Sequence, residues 1–414
     1  MERLQSFIGI FVLMFIAWLF SENKKVLKFR TIFSGLLLQF IFALLMFKLP
    51  VFKELFLFLD KVVSSLQRST EAGTSFVFGY LGGAPLPFEE KMPGSSFVLA
   101  LRALPLVLVV SAISSVLFYW RVLPYLVKGF SWILKKSMGI GGAVGLGAAA
   151  NVFLGMVESP LFIKPYLVKM TRSELFMTMS CGMAGIAGTV MVLYAAILKN
   201  VIPDAMGHIL TVSIITIPAA IIISEIMIPE TGKITEGEVF PQNEAKSTMD
   251  AVTRGTAEGV ELLINIIAML IVLVALVHLV NTILSLFPDV YGEPITLQRV
   301  LGWIMSPVVY IIGIPWKEAQ IAGALMGTKT VLNEFIAYLD MAKLPQEALS
   351  ERSRLIMTYA LCGFANFGSL GIMIGGMGAM APERKGEIIE LGLRSIVAGT
   401  LATLMAGALV GVIY

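Results

Sequence analysis

The chain has 414 residues, of which 57% are hydrophobic and only 14% charged, with a mean hydropathy of +0.86. A soluble domain carries about 25% charge, so this composition excludes an ordinary soluble protein and marks a polytopic membrane protein. A formal net charge of +3, on scattered Lys and Arg, excludes nucleic acid as a partner. The two cysteines, Cys181 and Cys362, lie in apolar segments and support neither a disulfide framework nor a zinc site.

A window of about 20 residues, the length that crosses a bilayer as a helix, finds clean spans near 4–20, 31–50, 98–120, 174–198, 206–228, 259–287, 354–376 and 391–413. The first is followed by Lys24, Lys25, Lys28 and Arg30 without a small-residue cleavage site, so it reads as a retained span rather than a signal peptide. Residues 66–93 contain Gly73, Gly79, Gly82, Gly83, Pro85 and Pro87 and read as an interfacial segment with a loop. Two further stretches, 138–168 and 297–338, are apolar but broken by Gly155 with Pro160 and by Gly313 with Pro315. They read as re-entrant hairpins, because irregular backbone at membrane depth survives only where protein or water satisfies its amides. The acidic 229–256 stretch reads as a mobile polar loop. Lys and Arg cluster around alternate connections, which puts those connections in the cytoplasm, both termini outside, and the hairpins on opposite faces. The expected fold class is an all-α polytopic membrane protein of eight transmembrane helices plus two oppositely oriented re-entrant hairpins.

Within the hairpins, Glu158 and Glu334 draw attention, since a charge at membrane depth costs roughly 2.5–3.5 kcal/mol even on mild insertion scales and persists where it faces a cavity. An internal repeat follows them. Cys181-Gly182-Met183-Ala184-Gly185-Ile186-Ala187-Gly188 aligns with Cys362-Gly363-Phe364-Ala365-Asn366-Phe367-Gly368-Ser369, each copy after one glutamate hairpin. Glycine costs a helix interior about 1 kcal/mol relative to alanine, so the paired runs predict discontinuous helices. A hairpin plus two spans, repeated with the face reversed, is the inverted-repeat plan of secondary transporters. Arg102 and Lys329 read as structural partners, and His208 and His278 as packed side chains.

Asn151-x-Phe-x-Gly155-x-x-Glu158, Gly313-x-Pro-Trp-x-Glu318, Lys329-Thr-Val-x-Asn333-Glu334-Phe335 and Cys362-Gly-Phe-Ala-Asn366 together resemble the concentrative nucleoside transporter family over nearly the whole chain. The resemblance implies a cation-coupled symporter that imports nucleosides across the bacterial cytoplasmic (inner) membrane by alternating access. It also implies a homotrimer in membrane lipid. Residues 1–137 would give the first part of a scaffold; 138–228 a first transport repeat; 229–290 a cytoplasmic loop and scaffold span; 291–414 a second transport repeat.

Carried over position by position, the resemblance makes Glu334 the acceptor of ribose hydroxyls, with Asn366 and Ser369 as further sugar ligands. It sets Met156, Val157 and Glu158 near the base and Val190 and Phe364 as apolar wall. Two departures touch selectivity. The family commonly reads Gly-Gln-Thr-Glu where this chain reads Gly155-Met156-Val157-Glu158, so two polar base contacts are missing and base preference should shift. Sodium in the family is held by the positions of Asn151, Leu154, Gly185 and Ile186, and the hydroxyl usual at the third is absent here. Sodium and proton coupling therefore both stay open, with no other cofactor. An intramembrane enzyme is disfavoured, since no nucleophile–base pair or metal-ligand set accompanies the carboxylates; a passive channel would equilibrate substrate without a coupling ion.

Overall fold

The computed structural model describes residues 2–90, 96–199, 201–237, 245–290 and 292–414. In chain order its α-helices are α1 Glu2–Leu19, α2 Phe29–Lys48, α3 Pro50–Phe78, α4 Leu99–Arg102, α5 Leu106–Tyr119, α6 Val122–Met138, α7 Gly142–Ala150, α8 Glu158–Leu161, α9 Lys164–Leu167 and α10 Arg172–Ala184. They continue with α11 Gly188–Leu198, α12 Ala205–Met227, α13 Thr248–Leu284, α14 Leu297–Ile311, α15 Trp316–Val331, α16 Glu334–Lys343, α17 Glu351–Leu361, α18 Phe367–Met380 and α19 Lys385–Ile413. Among the described residues the one β feature is a single bridge between Val290 and Glu293. Seven helical stretches are long and apolar enough to cross a membrane, or eight if the bent pair α14–α15 counts as one span.

The repeat is deeper than the sequence indicates. In each half a helix (α6, α14) ends at a glycine turn (Gly139, φ 67°; Gly313, φ 108°) and leads into a hairpin. A capped helix (α10, α17), a break, a second short helix (α11, α18) and a long buried helix (α12, α19) then follow. The N-caps are legible: Thr171 and Glu174 form a reciprocal capping box on α10, and the Ser350 hydroxyl accepts from the Ser353 amide at the start of α17. The expected discontinuous helices are present, with α10 and α11 separated at 185–187 and α17 and α18 at 362–366.

Several expectations need redrawing. The span expected at 354–376 is the broken pair α17–α18, which is how the second repeat accommodates its site. The Gly313–Pro315 break is not the tip of hairpin two; it is a 117° corner between α14 and α15, and the tip is Leu332–Asn333 between α15 and α16. The 66–93 stretch, expected as an interfacial segment with a loop, runs helically through Gly73 to the end of α3, which is not among the helices long and apolar enough to cross a membrane, and then turns at Gly79–Gly82. Residues 229–237 of the predicted mobile loop are strapped onto the start of α10 and onto hairpin one, where the Ala143 amide donates to the Thr235 carbonyl (3.4 Å). The Glu174 carboxylate accepts from the Thr235 amide (2.7 Å) and hydroxyl (2.6 Å), and Glu230 accepts from the Gly232 amide (2.6 Å) and the Thr171 hydroxyl. Residues 248–256 open α13, and 238–244 lie outside the described residues.

The centre of the molecule is made by α12 and α19, which are apolar all round and buried nearly throughout, as such helices must be. Helix α1 packs on α19 and α2 on α12, whereas α5 packs along α13. The α13 surface carries exposed Ile264, Ile271, Val272 and Leu276, apolar side chains that suit lipid or a partner rather than water. Arg102 is a structural partner as expected, bonded to Glu71 at 2.9 Å.

Candidate functional site

The two hairpin tips and the two helix breaks converge. The Phe364 amide, in the second break, donates to the Gly185 carbonyl in the first (3.1 Å), and the Gly188 amide donates to Phe153 O at the tip of hairpin one (3.0 Å). This closeness demands glycine. A Cβ on Gly363, whose φ is 157°, would stand 2.6 Å from the Ala184 carbonyl oxygen. The backbone groups freed by unwinding are thereby bonded to each other across the repeat, as membrane depth requires.

Around this junction lies a cavity of about 210 Å³. Every residue expected to touch substrate lines it: Met156, Val157 and Glu158 from hairpin one, Val190 from α11, Glu334 from hairpin two, and Phe364, Asn366 and Ser369 from the second break and α18. Glu334 is only 4% exposed, and both its oxygens are engaged. Oε1 accepts from the Tyr194 hydroxyl at 2.6 Å and Oε2 from Asn366 Nδ2 at 3.1 Å. Asn333 caps α16 by accepting from the Ile336 amide (2.9 Å), and Asn366 caps α18 by accepting from the Ser369 amide (2.7 Å). Cap residues therefore fix the direction of the carboxylate and of its amide partner. Glu158 is different: it is exposed toward the cavity and folds over its own tip, so that a Cβ on Gly155 would meet its Oε2 at 2.2 Å.

Tyr194 was missed. It is fully buried, lies beside Phe335 and Tyr338, and is the one helix-borne hydroxyl that reaches Glu334; a phenol in an otherwise aliphatic span was the available signal. Asn265, Leu262, Ile266 and Leu270 of α13 also line the cavity, and an asparagine inside an apolar span could have been flagged on the same ground as the glutamates. Lys329, wholly buried, meets no carboxylate: it donates to Ala360 O and Thr403 Oγ1, both at 2.8 Å, and ties hairpin two to α17 and α19.

The four positions expected to hold sodium are not among the cavity walls; they lie beside the first break. Asn151 Nδ2 donates to the Cys181 carbonyl at 2.6 Å, and Asn151 Oδ1 accepts from the Ser159 hydroxyl at 3.4 Å. A Cβ on Gly185 would stand 2.1 Å from that Nδ2, so the amide nitrogen fills the space a serine side chain would take. Leu154 is half-buried and Ile186 fully buried.

Comparisons with known proteins agree with this geometry along the whole chain. Models described as the N-terminus and C-terminus of the Na+ dependent nucleoside transporter match residues 8–81 and 208–411, and one described as nucleoside recognition matches residues 100–201. An uncharacterized transporter of Haemophilus influenzae is 37% identical over 99% of this chain and 98% of its own. The nucleoside permease NupC of Helicobacter pylori is 33% identical over 99% and 97%. The structure of CNTnw in an inward-facing substrate-bound state superposes with a TM-score of 0.90 at 34% identity, covering 100% of this chain and 98% of that one. The chain therefore belongs to the concentrative nucleoside transporter family, as a multi-pass bacterial membrane protein of transporters rather than enzymes.

Proposed function

We propose that this protein is a cation-coupled symporter that imports nucleosides, with the cavity between the hairpin tips as the substrate site. The observation that carries the reading is the buried Glu334 carboxylate, held between Tyr194 and Asn366 at one end of a mostly apolar cavity. A carboxylate accepts from two adjacent hydroxyls in near-bidentate fashion, and such charge-assisted bonds are about twice as strong as neutral ones. The cis-diol of a ribose offers that pair. Ser369 and Asn366 sit where further sugar hydroxyls would arrive, Val190 and Phe364 offer apolar faces for a base, and Met156, Val157 and Glu158 close its far side.

In the transport cycle, hairpins one and two with α10–α12 and α17–α19 would move as a body past α5 and α13. Residues 1–137 and α13 would form the scaffold and the core of a trimer, with α5 packed along α13 and with α1 and α2 as the surface against which α19 and α12 slide. Sodium as the co-transported cation is supported by the family description and by the retained Asn151. A second reading, proton coupling, is supported by the Asn151 amide nitrogen standing where a hydroxyl ligand would lie, because a donor repels a hard cation that wants oxygen.

Proteoliposomes loaded with no nucleoside, given a sodium gradient and a proton gradient in separate runs, test both. Accumulation above the external concentration is expected under one of the two. Simple equilibration under either would sink the symport reading.

A further inference from the structure

The cavity has an imbalance between its ends. At the ribose end the polar groups already hold one another in place: each Glu334 oxygen accepts one bond and keeps lone pairs for ribose hydroxyls, and the Asn366 carboxamide is used on both sides. At the base end the hairpin-one tip offers the apolar side chains of Met156 and Val157 and the exposed Glu158 carboxylate, which as an ion can only accept. Yet one uncommitted carboxamide faces the same space. Helix α13 lines the cavity with Leu262, Asn265, Ile266 and Leu270, and Asn265 is the only polar side chain among them. It is exposed, and no hydrogen bond ties it to any described residue. Asn281, lower on the same helix, shows the contrast: its carboxamide is bonded on both sides, to Gln298 and to the Leu297 amide.

A carboxamide carries an N–H and a C=O side by side, so it pairs at two points with any base edge presenting a donor beside an acceptor, as asparagine does with adenine. We propose that Asn265 is the specificity-determining residue for the base, making this two-point contact from α13 in place of the polar groups that hairpin one lacks. The proposal rests on the nucleoside reading of the cavity. Its consequence is a division of labour: the ribose ligands belong to the hairpin body, whereas the base is read by a helix paired with α5. The base is then checked only while the hairpins stand beside α13.

The test is equilibrium binding to the purified full-length protein in lipid nanodiscs, using two pairs that differ in the base edge, adenosine against purine riboside and uridine against 3-methyluridine. A third pair, the better-bound nucleoside against its 3′-deoxy form, reports the ribose end. The native protein is expected to prefer the intact edge by about tenfold in at least one base pair. Asn265→Leu, which keeps the branching at Cγ, and Asn265→Ala should both bring that ratio close to one while leaving the 3′-deoxy ratio unchanged. An unaltered base ratio in the variants, or no base discrimination in the native protein, overturns the proposal. Loss of the ribose ratio along with the base ratio would also overturn it, as the mark of a merely structural side chain. If the native protein binds no nucleoside, it is the functional reading that falls.

Discussion

At the tip of hairpin two, Asn333 caps α16 and Glu334 is buried with both oxygens bonded, whereas at the tip of hairpin one Glu158 is exposed beside Met156 and Val157 and leads into only the short helices α8 and α9. The two tips descend from one repeated plan, and under the proposed function the difference gives each end its task. Two caps and two hydrogen bonds preorganise the carboxylate, which suits a group that every nucleoside shares, the ribose. A methionine with three rotatable bonds and a half-buried valine adapt to different shapes, which suits the part that varies. Selectivity should thus respond to changes around hairpin one and α13, and activity as such to changes around hairpin two.

The largest effect expected is from Glu334→Gln, which keeps the volume and removes the charge. Truncating one partner of a buried charged hydrogen-bond pair costs about 2–5 kcal/mol, so labelled nucleoside uptake should fall at least about 30-fold with the folded protein still recovered. Uptake near the native level would remove Glu334 from the site and erase the contrast between the tips. Next, Tyr194→Phe deletes only the hydroxyl that orients Glu334 Oε1, and a weakening of substrate binding by about tenfold is expected in a competition assay. No change would mean that the carboxylate needs no such support.

On the other tip, Met156→Gln restores a polar group beside the base. We expect the ratio of affinities between purine and pyrimidine nucleosides to change by about fivefold, the worth of one net hydrogen bond, with the 3′-deoxy ratio unaffected. A change confined to the ribose ratio would reverse the roles of the two hairpins. The smallest effect concerns neither tip but the clasp outside the spans. Glu22, between α1 and α2, accepts from Arg172 (2.8 Å) and Arg394 (2.8 Å), joining that connection to α10 and α19. The Arg172 hydrogen bond holds the Glu22 carboxyl below its ordinary value of 4.5. Its stabilisation is therefore complete above that pH and is lost as the pH falls through the lowered value. For so exposed a pair it amounts to at most about 1 kcal/mol. Between pH 7 and pH 4 the melting temperature of the native protein in detergent should drop slightly more than that of Glu22→Gln; equal drops would show the clasp to be inert.

The sequence by itself determined the class, most of the long helices, the two glutamates and the paired breaks, because each has a local cause. A run of apolar residues must be buried in protein or lipid, a carboxylate at that depth must face something polar, and glycine-rich runs at matching places weaken the helices they interrupt. The eight residues expected to touch substrate all line the cavity, although they were legible only through motifs that match a family along their whole length. What the tertiary structure alone decided is how the pieces meet. Hairpin two turns at Asn333 rather than at the Gly313 corner, since both look alike as helix breakers and only packing of α15 against α14 separates them. The 229–237 strap is held by the Glu174 carboxylate, whose Thr235 partners, 2.6–2.7 Å away, only the fold brings to it. Tyr194 and Asn265 reach the cavity from helices far apart in the chain. Their meeting is set by long-range packing of the two repeats and of α13, which leaves no periodicity in the sequence to read.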